Sequence, residues 1–129
     1  MIEPAGKRIL VIDDANLIRR FYRDALEGAG FVVDEALNGV EALEKVLGET
    51  YDLAIVDVNM PQMDGLTFLK VLRRQASAVS ALPALVISTE AAAQDADAAR
   101  AAGANFYLVK PVNQDRLVEH VSIMCGLPA

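Results

Sequence analysis

The chain is poor in several features that would mark it for particular protein classes. It has a single cysteine, Cys125, so no internal disulfide can form, and a reducing compartment suits it best. The neighbours Ile123, Met124 and Leu127 make Cys125 a small core or helix-end residue. No basic cluster lies beside it in sequence to make the thiol reactive. There is one histidine, His120, and no tryptophan. A lone histidine in a helical stretch reads as a half-exposed position, not a metal ligand or catalyst. Basic residues number 12 against 18 acidic ones, a formal charge of −6. That balance excludes nucleic acid and anionic membrane as partners of the whole surface. Long apolar runs are also missing. Met1 to Lys7 is short and polar, and Ile9 to Ile12 is too short for the core of a secretory leader. No run approaches the roughly 20 residues of a membrane helix. The expectation is a soluble, cytoplasmic, monomeric protein.

What is present is a globular composition, 53% hydrophobic and 23% charged over 129 residues. That length suits one domain, which can bury about two thirds of its unfolded surface. Short apolar runs recur at Ile9–Ile12, Phe31–Val33, Leu53–Val56, Leu82–Ile87 and Phe106–Val109. They are β-branched and continuous, as strands are when both faces of a sheet are covered.

Helical patterns lie between the runs. Leu17, Ile18, Phe21, Ala25, Leu26 and Ala29 recur at spacings of three and four before Gly30. Asn38 is placed to cap a second helix, with Glu41 in capping-box position, and Val40, Leu43 and Leu47 form its expected core face. A third starts at Asp64 and presents Leu66, Leu69 and Leu72. A fourth, alanine-rich, spans Ala91 to Ala102 and stops at Gly103. A fifth follows the cap Asn113 with Leu117, Val118, Val121 and Met124. The order is (βα)₅, an α/β fold with a parallel sheet, helices on both faces and right-handed crossovers.

Such sheets carry their functional groups at the carboxyl ends of the strands. Asp13 and Asp14 end the first strand, Asp57 the third, Ser88 and Thr89 the fourth, Lys110 and Pro111 the fifth. Each polar residue alone has an ordinary explanation as a turn or a cap. Three carboxylates in one cleft repel one another and call for a cation. All-oxygen ligands with room for water suit Mg²⁺, which Mn²⁺ can replace. A metal, a lysine and a hydroxyl facing one carboxylate suit phosphoryl transfer, and an Asp can itself be the nucleophile.

On these residues the chain resembles the receiver domains of two-component response regulators, of the single-domain, CheY-like kind. The matching stretches are ILVIDDAN, LAIVDVNMPQMDG, ALVISTE and NFYLVKPV. The resemblance covers residues 1–129 as one receiver domain, with a core of about 7–125, and leaves no room for an output domain. It implies a flavodoxin-like three-layer sandwich with strand order 2-1-3-4-5. It makes Asp57 the phosphoacceptor. Asp14, Asp57 and the backbone carbonyl of Asn59 become metal ligands, with Asp13 acting through water. Lys110 pairs with Asp57 and then with the phosphoryl group, Ser88 is the switch hydroxyl, and Tyr107 is the aromatic switch. The Lys110–Pro111 bond would be cis, aiming Lys110 into the site. Asp64 is expected only to cap the third helix, and Met60 and Pro61 to shape the loop beside Asp57.

The implied partners are a histidine kinase or histidine phosphotransfer protein and a downstream target, a motor switch or another signalling protein. The target would bind the surface of the alanine-rich helix, the fifth strand and the last helix. Three positions depart from the family pattern or thin it out: Thr89 where a small residue is usual, Val112 where phenylalanine is frequent, and the alanine run in the fourth helix. A phosphorelay shuttle or phosphate sink shares the same motifs. An aspartate-nucleophile phosphatase is a distant alternative, because its DxD pattern would need an acid at Asn59. A flavodoxin is disfavoured by the acids of DDANLIRR, where a phosphate loop would lie.

Overall fold

The computed structural model describes residues 6–127. Among them, five strands alternate with helices: β1 (Arg8–Ile12), β2 (Val32–Ala36), β3 (Leu53–Val56), β4 (Ala84–Ser88) and β5 (Phe106–Val109). The helices are α1 (Asn16–Gly28), α2 (Gly39–Gly48), α3 (Gly65–Leu72), the single turn α4 (Ser77–Ser80), α5 (Ala93–Ala102) and α6 (Gln114–Met124). Every strand pair is parallel, and the sheet order is β2-β1-β3-β4-β5. This is the expected flavodoxin-like α/β sandwich. The short turn α4 is an addition; Ser77 to Ser80 lacks the apolar periodicity that would reveal it.

β1, β3 and β4 are buried throughout or nearly so, which is why they read as continuous apolar runs. The edge strands β2 and β5 are only partly covered, with Val32 and Phe106 exposed. Two apolar layers cover the sheet. Leu10, Ile12, Ala54, Val56 and Val86 face α2, α3 and α5, while Ile9, Val11, Leu53, Ile55 and Leu85 face α1 and α6.

The caps follow the sequence. Asn38 Oδ1 accepts the Glu41 amide at 2.8 Å, and Asp64 Oδ1 accepts the Thr67 amide at 2.8 Å. Asn113 does the same for Arg116. Glu41 returns its carboxylate to the amide of Leu37, one residue before the cap. Gly103, at φ +121°, ends α5.

Two helix faces differ from the expectation. On α2 the buried residues are Gly39, Ala42 and Val46, while Val40 is 41% and Leu47 56% exposed. Close approach is the cause, since a Cβ on Gly39 would lie 2.6 Å from the Met63 carbonyl oxygen. Small residues therefore take the inner face and the larger ones are turned outward. On α1 the buried residues are Arg19, Tyr22, Ala25 and Leu26, and Leu17 and Phe21 are exposed.

Candidate functional site

Parallel pairing aligns the carboxyl ends of β1, β3, β4 and β5, and the loops leaving them make one edge. Asp57 follows β3 directly; its amide donates to the Ile12 carbonyl at 2.9 Å, extending the ladder by one residue. Asp13 follows β1, and its amide donates to Ala36 O at 3.2 Å. Both acids are therefore placed by sheet hydrogen bonds. Both are almost fully buried, at 2% exposure for Asp13 and 8% for Asp57. Asp14 is exposed, and one oxygen from each of the three carboxylates lies within 4.8 Å of the other two.

Lys110 arrives from β5. Its Nζ donates to Asp13 Oδ2 at 3.3 Å and to Asp57 Oδ1 at 3.4 Å. The Lys110–Pro111 peptide is cis, and the Lys110 amide donates to Ser88 O at 2.8 Å. One ammonium thus pairs with two carboxylates of a cluster of three, leaving the cluster short of positive charge. The Asp57 acid is pushed above the usual carboxylate range by its burial and then by the Asp13 charge; Lys110 pulls the other way. A divalent cation would relieve the remaining repulsion. The donor set fits one, because oxygens from two strand ends converge and Asp14 opens the cluster to water.

The neighbouring residues sort by position. Ser88 is fully buried at the end of β4, and its Oγ accepts the Glu90 amide at 3.1 Å. Tyr107 on β5 is half-buried, and its hydroxyl donates to Glu90 O at 2.6 Å. Ser88 and Tyr107 therefore hold the two sides of one residue in the β4–α5 loop. Asn59 lies exposed in the loop after Asp57, and Thr89 is exposed beside Ser88. Asp64 caps α3 and stays out of the acid cluster. His120 stands apart on α6, stacked near Phe106 with ring centroids 5.1 Å apart.

Sequence reasoning overlooked three features of this edge. Gly65 begins α3 against Asp57, and a Cβ there would sit 2.2 Å from the Asp57 carbonyl oxygen. Arg19 is buried beside the β1–α1 loop. Its signal was its position on the buried face with Tyr22 and Leu26, three and seven residues on. Third, an apolar cleft lined by Ile18, Phe21, Tyr22, Pro111 and Val112 opens next to Lys110.

Known proteins are similar to this chain in sequence and fold. The family described as response regulator receiver domain matches residues 9–122. The chemotaxis protein CheY of Bacillus subtilis is 36% identical over 116 residues, covering 89% of this chain and 94% of its own length. The sensor protein EvgS of Escherichia coli is 40% identical over 119 residues, 92% of this chain, but this chain spans only 10% of that protein. A solved structure of the Vibrio cholerae chemotaxis protein CheY4 superposes with a TM-score of 0.87 at 36% identity, covering 93% of this chain and 99% of that one. With its parallel 2-1-3-4-5 sheet and a family match over nearly its whole length, this chain belongs to the response regulator receiver domains of two-component signalling.

Proposed function

We propose that this chain is a phosphorylation-dependent switch in which Asp57 accepts a phosphoryl group from a protein phosphohistidine. The observation that carries the reading is the Lys110 ammonium, 3.4 Å from Asp57 and 3.3 Å from Asp13, paired with the two buried members of a three-carboxylate cluster. An ionised Asp57 oxygen attacks phosphorus, the P–N bond to the donor imidazole breaks, and its electron pair returns to the imidazole nitrogen. Lys110 faces the oxygens that gain charge, and it costs no reorganisation because it is already in place. Asp14, Asp57 and the Asn59 carbonyl would hold a Mg²⁺ or Mn²⁺, with Asp13 acting through water. When bound, that ion supplies charge neutralisation at the phosphoryl oxygens.

The product places a dianionic group against Ser88 and Lys110. The Ser88 hydroxyl, whose oxygen accepts the Glu90 amide, has its own proton to donate to a phosphoryl oxygen, and turning it there shifts its bond to Glu90. Glu90 also holds Tyr107, so a change at Ser88 reaches the ring of Tyr107 and the face of α5, β5 and α6. That face is the proposed docking surface for a downstream target. The apolar cleft beside Lys110, with Phe21 42% exposed on its wall, suits a protein donor packing a helix there more than a small phosphate ester. The reading implies a cytoplasmic, monomeric protein, and the same chemistry serves a phosphorelay shuttle or a phosphate sink.

Incubation with acetyl phosphate and Mg²⁺, followed by a phosphate-affinity gel, tests this reading. A labile shifted band is expected, lost on chelation and in Asp57→Asn. Steady turnover of phosphate esters without a labelled protein would point to a phosphatase instead.

A further inference from the structure

We infer that Arg19 is a positioning residue for the acid cluster, fixing the peptide between Asp13 and Asp14; this rests on the reading of the cluster as a metal-assisted phosphoacceptor site. Arg19 lies on α1 and is only 7% exposed. A buried guanidinium is costly unless its donors are matched. Its three nitrogens reach three different pieces of the fold. Nη1 donates to the Asp13 carbonyl oxygen at 2.7 Å, Nε to Glu35 Oε1 at 2.9 Å, and Nη2 to Asn16 Oδ1. Glu35 is itself anchored, taking Arg23 on its other oxygen and Lys45 Nζ on its backbone carbonyl at 2.6 Å.

The Asp13 carbonyl belongs to the peptide unit that joins the two acids. Asp13 is held at several further points: its amide bonds Ala36, Oδ1 accepts the Ala15 amide at 2.9 Å, and Oδ2 accepts Lys110. The Asp14 carboxylate has no hydrogen bond among the described residues, so its direction depends on the backbone. Arg19 is the side chain that clamps that backbone. Its charge is matched by Glu35, so its effect on the cluster is geometric. A lysine ammonium could not span the same three acceptors in their fixed fork geometry.

Calorimetric Mg²⁺ titration of the whole chain tests the inference, alongside the rate of acetyl phosphate labelling at saturating Mg²⁺. Arg19→Met and Arg19→Lys should both raise the Mg²⁺ dissociation constant about 10–100-fold, the usual effect of removing a group that orients a metal ligand. Labelling at saturating Mg²⁺ should fall far less. Arg23→Met removes the other arginine on Glu35 without touching Asp13, and should leave Mg²⁺ affinity at the wild-type value. Wild-type affinity in both Arg19 variants, or an equal loss in Arg23→Met, would overturn the positioning role. If Arg19→Met does not fold, Arg19→Lys decides by the same criterion. Failure of the wild type itself to bind Mg²⁺ would overturn the site reading, and this inference with it.

Discussion

The acid cluster makes Asp57→Asn an informative change, because it should stabilise the metal-free protein. Asp57 is 8% exposed and shares its site with two carboxylates whose nearest oxygens lie within 4.8 Å. At an effective dielectric of about 20, one such pair repels by roughly 3 kcal/mol. The Lys110 ammonium at 3.4 Å offsets a comparable amount. Burial and the second carboxylate remain uncompensated, so the net cost of the Asp57 charge is about 1–3 kcal/mol. For a domain of this size the neutral variant should melt roughly 4–10 °C higher. The sign is set by the raised acid constant of Asp57 in the folded state. The carboxyl group holds its proton more tightly when folded, so the penalty is absent below the ordinary carboxylate value near 4. It grows as pH rises through the folded value and is full at neutrality. Scanning calorimetry in a chelator at neutral and acid pH measures this, and the difference between the proteins should close at low pH. Adding Mg²⁺ should reverse the order at neutral pH, stabilising the wild type by about 4.1 kcal/mol at a thousandfold excess over its dissociation constant. An Asp57→Asn variant less stable than the wild type in chelator would refute the reasoning.

Other consequences follow from the same geometry. Lys110→Gln removes the cation on Asp13 and Asp57, so chelator-treated protein should lose about 1–3 kcal/mol in urea titrations; its labelling by acetyl phosphate should slow as well. Gly65→Ala places a Cβ 2.2 Å from the Asp57 carbonyl oxygen and 2.9 Å from Val56 Cγ1. The start of α3 must move, and overpacking here should cost about 3 kcal/mol or more, with slower labelling at Asp57. Phe68→Ala empties a fully buried position in the α3 layer and should cost about 3–5 kcal/mol by denaturant titration. Burial pushes the Cys125 thiol up to about 11. Its reaction with a disulfide reagent should be slow at neutral pH and accelerate steeply towards that value.

The strands and the acid edge were legible because a parallel sheet imposes a simple code. β1, β3 and β4 are covered on both faces, so apart from Arg8 at the start of β1 they are unbroken apolar runs that end at a polar residue. Asp13, Asp57, Ser88 and Lys110 all sit at such stops. The caps at Asn38, Asp64 and Asn113 were legible because each side chain bonds an amide three residues on, a purely local rule. Helix faces were less so. Periodicity places Val40, Leu43 and Leu47 together, but α2 packs too closely for large side chains, and Gly39, Ala42 and Val46 take the inner face. Hydrophobicity ranks Ala and Gly low, so the pattern pointed about a quarter-turn away. Arg19 was hidden for the opposite reason. An arginine in a helix reads as solvated, and only the meeting of Asp13, Asn16 and Glu35 in space gives a buried guanidinium its acceptors. The approach of Gly65 to Asp57 is likewise a tertiary fact, since the pair is eight residues apart and meets where β3 turns into α3.

The most direct test is to locate the phosphoryl group. The protein is treated with acetyl phosphate and Mg²⁺, then with borohydride, which reduces an aspartyl phosphate to homoserine. Peptide mass spectrometry then finds the converted residue. Conversion should occur at Asp57 alone, disappear with chelator, and be absent without the phosphodonor. Conversion at Asp13, Asp14 or Asp64 with Asp57 intact, or phosphate stable to borohydride on a hydroxyl side chain, would contradict the assignment of Asp57 as the phosphoacceptor.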